Sequence, residues 1–184
     1  RLVGSEMCIR DSPKNPIVME LTARDRNDMQ FHTLLKMDID PTSIFIDQGN
    51  LKTNRVTPIL SNGDSHEKVD LVFLAEGYTA AEQDKFVADA KRFMEALFKT
   101  PPYDQRKNDF NVWAVGCISE ESGTDSSGKG VFKNTAFNTG YYTFGIDRYL
   151  TTRDMKSIRD AVWNVPTDAI FILINAAVSY THLT

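Results

Sequence analysis

Apolar and polar residues alternate in blocks that predict strands and helices in turn across residues 69–175. The run LVFLA, residues 71–75, has the length and continuity of a strand that is buried on both faces. A T-x-x-E capping box at Thr79 then opens a stretch in which apolar residues recur at helical spacing, namely Phe86, Ala90, Phe93 and Leu97. We therefore predict a strand followed by an amphipathic helix that packs on a sheet and ends before Pro101-Pro102.

Two further apolar strands and a second helix complete this pattern. Residues 110–119 and 169–174 are apolar almost throughout, and a second capping box at Thr151 and Asp154 precedes a short apolar stripe of helical spacing. Strands that alternate with helices are typical of right-handed crossovers and a largely parallel sheet. The predicted fold class is therefore α/β, with the order β-α-β-α-β and a mostly parallel sheet.

The residues ahead of this pattern are typical of the end of a β-rich module. IVMELT, MQFHTLLKMDI and SIFIDQ are β-leaning runs separated by polar turn residues. The polar stretch SNGDSHEK, residues 61–68, favours a boundary. We predict the end of a β-rich N-terminal domain with its linker at residues 13–66, and the N-terminal part of a second domain at residues 67–177.

Both ends of the chain stand apart from the folding pattern. RLVGSEMCIRDS at residues 1–12 and VSYTHLT at residues 178–184 resemble peptides that arise when sequencing-adapter read-through is translated. Segments of that kind are excluded from fold reasoning. We expect the native part to be an internal piece of a longer protein.

Composition and charge exclude several classes of function. The formal net charge is −4 with no block of like charges, which argues against a nucleic-acid partner because such proteins carry a basic stripe. No run of about 18 apolar residues is present, so we predict no membrane span. Cys117 lies inside an apolar strand, where a buried structural cysteine is the usual interpretation.

The sequence contains no complete catalytic or metal-binding motif. His32 and His66 have no second histidine four residues away, so we predict no metal ligands in this chain. The long polar loop of residues 120–140 carries serines without a G-x-S-x-G elbow and glycines without phosphate-loop spacing. Its acidic residues, which include Glu121 and Asp125, are either a solvated surface or a functional group of carboxylates.

Several motifs in order carry a resemblance to a known family. VDLVFLAEGYTAAEQDKF, FMEALFKTPPYDQRKNDFNVWAV, SEESGTD, YTFGIDRYLTT and DAIFILIN follow one another between Val69 and Asn175. This succession resembles the IgA-peptidase family of zincin-type zinc metallopeptidases. The resemblance implies a truncated zincin-type catalytic domain preceded by a β-rich module, and a bacterial protein that is secreted or exposed at the cell envelope.

The resemblance also implies where the chemistry lies. In the family, the strand that matches DAIFILIN is followed by a helix with an HExxH motif, whose histidines bind Zn²⁺ and whose glutamate is the general base. This sequence ends before that helix, so we assign no catalytic residue and no metal ligand, and we expect zinc in the parent protein but none in this chain. Glu121, Ser122, Asp125 and Asn175 are predicted to line the substrate cleft.

Two interpretations follow. The chain is either an inactive piece of a zinc-dependent endopeptidase with protein or peptide substrates, or a non-catalytic α/β binding or scaffold module that uses residues 120–140. The two differ in whether the frame continues past Asn175 into a helix with two histidines four residues apart. In either case the uncovered sheet edge predicts a loosely folded or aggregation-prone piece. The sequence does not indicate an oligomeric state.

Overall fold

A computed structural model of the protein describes residues 15–46 and 53–176. The chain divides into two compact units, Arg1–Asn50 and Leu51–Thr184. The predictions for residues 1–12 and 178–184 lie outside the described residues. The predicted domain boundary at residues 66 and 67 stays a prediction.

The first unit contains an antiparallel hairpin of β1 (Ile17–Arg24) and β2 (Phe31–Ile39). Several residues that face each other across the two strands are of like polarity. Met19 faces Met37 and Leu21 faces Leu35, whereas Glu20 faces Lys36. Successive residues of a strand point to opposite faces, so the hairpin has one apolar and one polar face. The apolar side chains remain substantially exposed in this unit.

Residues 53–176 of the second unit contain six strands and three α-helices. The strands are β3 (Arg55–Leu60), β4 (Val69–Glu76), β5 (Phe110–Gly116), β6 (Asp125–Ser126), β7 (Gly140–Tyr141) and β8 (Ala169–Ile174). The helices are α1 (Gln83–Leu97), α2 (Tyr103–Arg106) and α3 (Met155–Ala161). Four of the strands form one sheet in the order β3-β5-β4-β8.

The three strands predicted to form the sheet are parallel to one another. β4 lies in the centre with β5 on one side and β8 on the other. The predicted α/β fold class with a mostly parallel sheet is therefore confirmed. β3 adds an antiparallel edge strand on β5, although the sequence pattern placed this segment ahead of the predicted boundary. Pro58 fits there because an edge strand tolerates a missing backbone donor.

The hydrophobic core is built around the sheet, and buried residues of both α1 and α3 belong to the same cluster. Val72, Phe73 and Leu74 of β4 are fully buried, and Phe86 and Ala90 of α1 pack in the same cluster. Phe93, which the helical stripe predicted to be buried, is 42% exposed. Its ring touches Phe73 edge-on at 5.4 Å, and its outer side faces an open groove.

The two predicted helix starts had different outcomes. The capping box at Thr79 is present, although a single 3-10 turn, Ala80–Glu82, precedes α1. The capping box predicted at Thr151 is wrong, because the N-cap of α3 is Asp154, whose carboxylate accepts the backbone N–H of Ser157 at 3.0 Å. Asp154 is the better N-cap because it lies directly before the helix, whereas Thr151 lies three residues earlier.

Candidate functional site

The carboxyl ends of three parallel strands meet at one edge of the sheet. From the central strand β4 the chain goes first to β5 on one side and then, through residues 117–168, to β8 on the other. Ligands of parallel α/β sheets bind outside the carboxyl ends of strands at such a reversal of strand order. Polar residues concentrate at this edge, and we call the following set the carboxyl-edge network: Glu76, Gly77, Glu82, Ser119, Ser122 and Asn175.

Asn175, directly after β8, is the hub of this network. Its side-chain amide lies 3.0 Å from the carbonyl oxygen of Gly77, 3.0 Å from Glu82 Oε1 and 3.0 Å from Ser122 Oγ. Its Oδ1 accepts a hydrogen bond from Lys85 Nζ at 2.7 Å. One side chain thus joins the end of β8, the turn after β4, the start of α1 and the 120–140 loop.

Glu82 holds the helix start and the loop together. One carboxylate oxygen accepts the backbone N–H and the hydroxyl of Thr79, both at 2.9 Å. The other accepts the hydroxyl of Ser122 at 2.9 Å and the amide of Asn175. The backbone and hydroxyl hydrogen bonds from Thr79, with smaller contributions from Ser122 and Asn175, lower the pKa of Glu82 to about 2.

Glu76 anchors the 120–140 loop from inside the protein. It is the last residue of β4 and is fully buried. Its carboxylate accepts the hydroxyl of Thr135 at 2.7 Å, the backbone N–H of Phe137 at 2.9 Å, and the backbone N–H and hydroxyl of Thr139 at 3.0 and 2.8 Å. A buried carboxylate is stable only with such a set of donors.

Glu76 was not among the residues predicted from the sequence. One signal was available in the sequence, because Glu76 directly continues the apolar run of residues 71–75. A carboxylate in a buried strand is expected only where it has bonding partners. Its partners lie about 60 residues further along the chain, so no local pattern identified them.

The turn after β4 depends on two glycines in direct contact. Gly77 has a φ of +71°, and a Cβ placed there would lie 1.9 Å from the carbonyl oxygen of Gly123. The backbone N–H of Gly123 donates to the carbonyl of Gly77 at 3.0 Å. The buried hydroxyl of Ser119 accepts the backbone N–H groups of Gly77 and Ala136, at 2.9 and 3.0 Å. The loop is therefore bonded to the sheet edge through its backbone.

The structure brings together two of the four predicted cleft residues. Ser122 and Asn175 are in contact within the carboxyl-edge network. Glu121 instead accepts the backbone N–H of Asn134 at 2.7 Å and the ammonium of Lys133 at 3.4 Å, which together lower its pKa.

Asp125 likewise accepts the backbone N–H of Lys133, so both acidic residues stabilise the 120–140 loop itself. That all four residues line a substrate cleft stays a prediction.

Two concavities adjoin Asn175. The larger, the lateral groove, has a volume of about 810 Å³ and runs between α1 and β8. It is lined by Tyr78, Lys85, Asp89, Arg92, Phe93, Ala96, Tyr141, Leu150 and residues 172–176. Burial and a hydrogen bond to Asp89 raise the pKa of Tyr78 well above its usual range. The smaller cavity, of about 310 Å³, lies beyond the carboxyl end of β8.

Metal-ligating side chains converge at one place among the described residues, in the first unit. Asp25, Asp28 and His32 each offer one ligand atom, and these atoms lie within 4.8 Å of one another on an exposed surface. His32 Nε2 is 2.7 Å from Asp28 Oδ2. The described part of the second unit, residues 53–176, has no comparable group of three.

No helix within residues 15–46 and 53–176 combines the length and the apolar character needed to cross a membrane.

Comparison with known proteins identifies the family. A family model described as IgA Peptidase M64 matches residues 57–181. A search of curated proteins finds no match. The chain belongs to the IgA peptidase M64 family, and the resemblance carried by the motifs of residues 69–175 is confirmed.

Proposed function

We propose that the chain is part of a zinc-dependent endopeptidase that hydrolyses peptide bonds in protein substrates. The observation that carries this proposal is the family match over residues 57–181, which covers β4, β5, β8, most of β3 and the carboxyl-edge network. Membership of a peptidase family supports a protein substrate. That the parent is bacterial and is secreted or exposed at the cell envelope is part of the proposal and rests on the family alone.

The described residues of the second unit do not fit a zinc-peptidase centre. Such a centre needs three protein ligands, and no group of three histidine, cysteine or carboxylate ligands converges in residues 53–176. The printed sequence has His32, His66 and His182, and no two of them are four residues apart. We therefore assign this chain a supporting role and expect the zinc ligands and the general base to come from sequence outside it.

The lateral groove supports that assignment. β8 is apolar throughout, as strands covered on both faces are, yet its side chains are only partly buried. Phe93 of α1 borders the same groove and is 42% exposed. A right-handed crossover after β8 would place a following helix on a face of this sheet. We propose that the lateral groove receives the helix that carries the metal ligands.

The free edge of β8 supports a role in substrate binding. Within the described residues, β8 pairs only with β4, so its other edge presents unpaired backbone groups. An extended peptide can add to such an edge as a further strand. A peptide added in this way would run beside Asn175 and the carboxyl-edge network.

The alternative function, a non-catalytic binding or scaffold module, is favoured by the order of the 120–140 loop. Glu76, at the end of β4, accepts hydrogen bonds from residues 135–139 of the loop. Glu121, within the loop, accepts hydrogen bonds from residues 133–134. A loop held in this way presents a fixed surface without any catalytic group.

Two experiments test the proposal. Long-read sequencing of the source locus past the codon for Asn175 should show a frame that continues into a helix with two histidines four residues apart. The protein encoded by that frame should hydrolyse casein, and a chelator should abolish the hydrolysis. A frame that stops without such a pair would contradict the peptidase function and favour the binding module.

Calorimetric titration of the present chain with zinc tests the supporting role. We expect no stoichiometric site of submicromolar affinity. A 1:1 submicromolar site would contradict the assignment of the ligands to sequence outside this chain. The variant His32→Ala separates binding at the exposed group of the first unit from binding elsewhere.

A further inference from the structure

The smaller cavity at the carboxyl end of β8 has its own chemical character. Its volume of about 310 Å³ fits one amino-acid side chain with room for water. One wall comes from residues 123–133, the other from residues 141–147, and Asn175 and Ala176 form the end nearest the sheet. All of these residues belong to the second unit.

The two walls are fixed against each other. Ser126 and Val131 exchange backbone hydrogen bonds of 2.9 and 3.2 Å, which close a tight turn. Gly128 in this turn lies against the ring of Tyr142. A Cβ added at Gly128 would come within 2.3 Å of a ring atom. The cavity is therefore bounded by loop segments in direct contact.

The charged groups that line the cavity are mainly positive. Lys129 and Lys133 contribute two ammonium groups, and Asp147 contributes one carboxylate. Lys133 Nζ lies 3.4 Å from Glu121 Oε1, a contact at the long end of the hydrogen-bond range. No carboxylate oxygen of the described ranges lies within 4.0 Å of Lys129 Nζ. The ammonium of Lys129 is thus available to an incoming anion.

The apolar part of the lining suits the stem of an acidic side chain. Tyr141 and Tyr142 contribute aromatic surface, and Val131 adds an aliphatic side chain. Apolar walls with a cation attract a ligand that joins a short methylene chain to a carboxylate, since both parts find a partner.

The position of the cavity selects a peptide over a free anion. A strand added to the open edge of β8 passes Asn175 and Ala176, which border this cavity. Side chains of an extended peptide alternate between two directions, so one of them reaches the cavity mouth. A free phosphate has no backbone that could add to this edge as a strand.

We propose that this cavity is a subsite for an acidic side chain, aspartate or glutamate, of the peptide substrate. The proposal rests on the peptidase function proposed above and names the substrate class that the site prefers. Lys129 is the residue that determines this preference, and Lys133 supplements it.

Binding to the present chain tests the subsite without any catalysis. Two blocked alanine pentapeptides that differ only in a central glutamate or glutamine are titrated against the isotope-labelled chain, and amide NMR shifts of residues 123–133 and 141–147 are followed. We expect the glutamate peptide to bind about fivefold more tightly, the upper range for a partly exposed ion pair. Lys129→Gln should remove this preference, whereas Lys99→Gln, an exposed lysine outside the cavity lining, should keep it.

The outcomes separate the subsite from the parent function. Equal affinity for both peptides, or a preference that survives Lys129→Gln, overturns the subsite. Inorganic phosphate that shifts the same amides while the glutamate peptide does not would overturn it in favour of a free-anion site. Because no outcome depends on hydrolysis, the subsite can fail while the peptidase function stands. If the glutamate preference is found but the locus encodes no histidine pair, the subsite stands and the peptidase function fails.

Discussion

At the scale of single residues, Gly77 is tightly constrained both by its backbone conformation and by its neighbour Gly123. Replacing Gly77 with alanine adds a methyl group 1.9 Å from the carbonyl oxygen of Gly123, and it also forces a side chain into the left-handed region. We expect Gly77→Ala to lower the free energy of unfolding by more than about 3 kcal/mol, since strain and backbone displacement add together. Urea denaturation followed by circular dichroism measures this loss.

Gly130→Ala is the matched control for this prediction. Gly130 has a φ of +67°, close to that of Gly77, but nothing lies within 4 Å of a Cβ placed there. Gly130→Ala should lower the free energy of unfolding by only about 1 kcal/mol, since the left-handed backbone conformation is its only unfavourable feature. Equal losses for the two variants would show that the contact between Gly77 and Gly123 does not constrain the turn.

Glu76 is the buried charge on which the loop depends. Glu76→Gln replaces an acceptor oxygen by an NH₂ group that faces donors from Thr135, Phe137 and Thr139. We expect a loss of about 2–4 kcal/mol in the free energy of unfolding, because donors of a buried charged network lose their partner. Hydrogen exchange should rise across residues 133–140, and Glu67→Gln, an exposed glutamate, should leave both quantities unchanged. Unaltered exchange in Glu76→Gln would contradict the anchoring role.

Residue patterns revealed some members of the site and not others. Ser122 and Asn175 were predicted to line a cleft because they lie in motifs that resemble a family. The structure shows the two side chains in contact, and the cleft itself stays a prediction. Glu76 was not predicted, because its hydrogen-bond donors lie in a distant loop. No periodic pattern in the sequence relates that loop to β4. Long-range polar contacts depend on the path of the loop, which local propensity does not encode.

At the scale of secondary-structure elements, the start of α1 was predictable because its signal is local. Thr79 and Glu82 are three residues apart, and their mutual bonds need only a helical turn. The start of α3 was misassigned, since both a threonine and an aspartate stood in capping positions. β3 was not assigned to the sheet because Pro58 and a short length are weak strand signals, and its place follows from pairing with β5.

The capping box predicts a defined dependence of stability on pH. The pKa of Glu82 is lowered from 4.5 to about 2, so the folded state favours the charged carboxylate. A lowered pKa contributes stability that is complete above the unfolded value and is lost as the pH falls through the folded value. The stability difference between wild type and Glu82→Gln should therefore be largest above about pH 5 and should shrink between pH 4.5 and 2.

Urea denaturation at a series of pH values measures this dependence. Glu95→Gln, an exposed glutamate within α1, is the control and should show no comparable convergence with wild type. A Glu82→Gln difference that is constant from pH 7 to pH 2 would show that the stabilisation does not depend on the carboxylate charge.

At the scale of the whole molecule, the parallel sheet was predictable and the cavities were not. Three apolar runs separated by helical segments permit few topologies, because crossovers between parallel strands are right-handed and neighbouring elements pack together. The lateral groove and the smaller cavity arise from the way that residues 141–150 and α1 border β8, which depends on loop conformation. The positive φ values of Tyr142 and Phe144 are part of that conformation, and no sequence rule assigns them to these residues.

The two units should differ in their resistance to local unfolding. β4 pairs with strands on both sides and its core residues are fully buried, whereas the hairpin of β1 and β2 is a two-stranded sheet with an exposed apolar face. A two-stranded sheet alone is marginally stable in water, since few of its apolar side chains are removed from solvent. We expect amides of β4 to exchange slowest, those of β8 at an intermediate rate because one of its edges is open, and those of the hairpin fastest.

Hydrogen–deuterium exchange with two variants tests this order. Phe73→Ala removes a fully buried ring of β4 and should lower the protection of β4, β5 and β8 together by about 3–5 kcal/mol. Met37→Thr changes an exposed residue of β2 and should leave the protection of the sheet unaltered. Hairpin amides as protected as those of β4 would contradict the expected order, and they would mean that another surface covers the apolar face formed by Ile17, Met19, Leu21, Leu35, Met37 and Ile39.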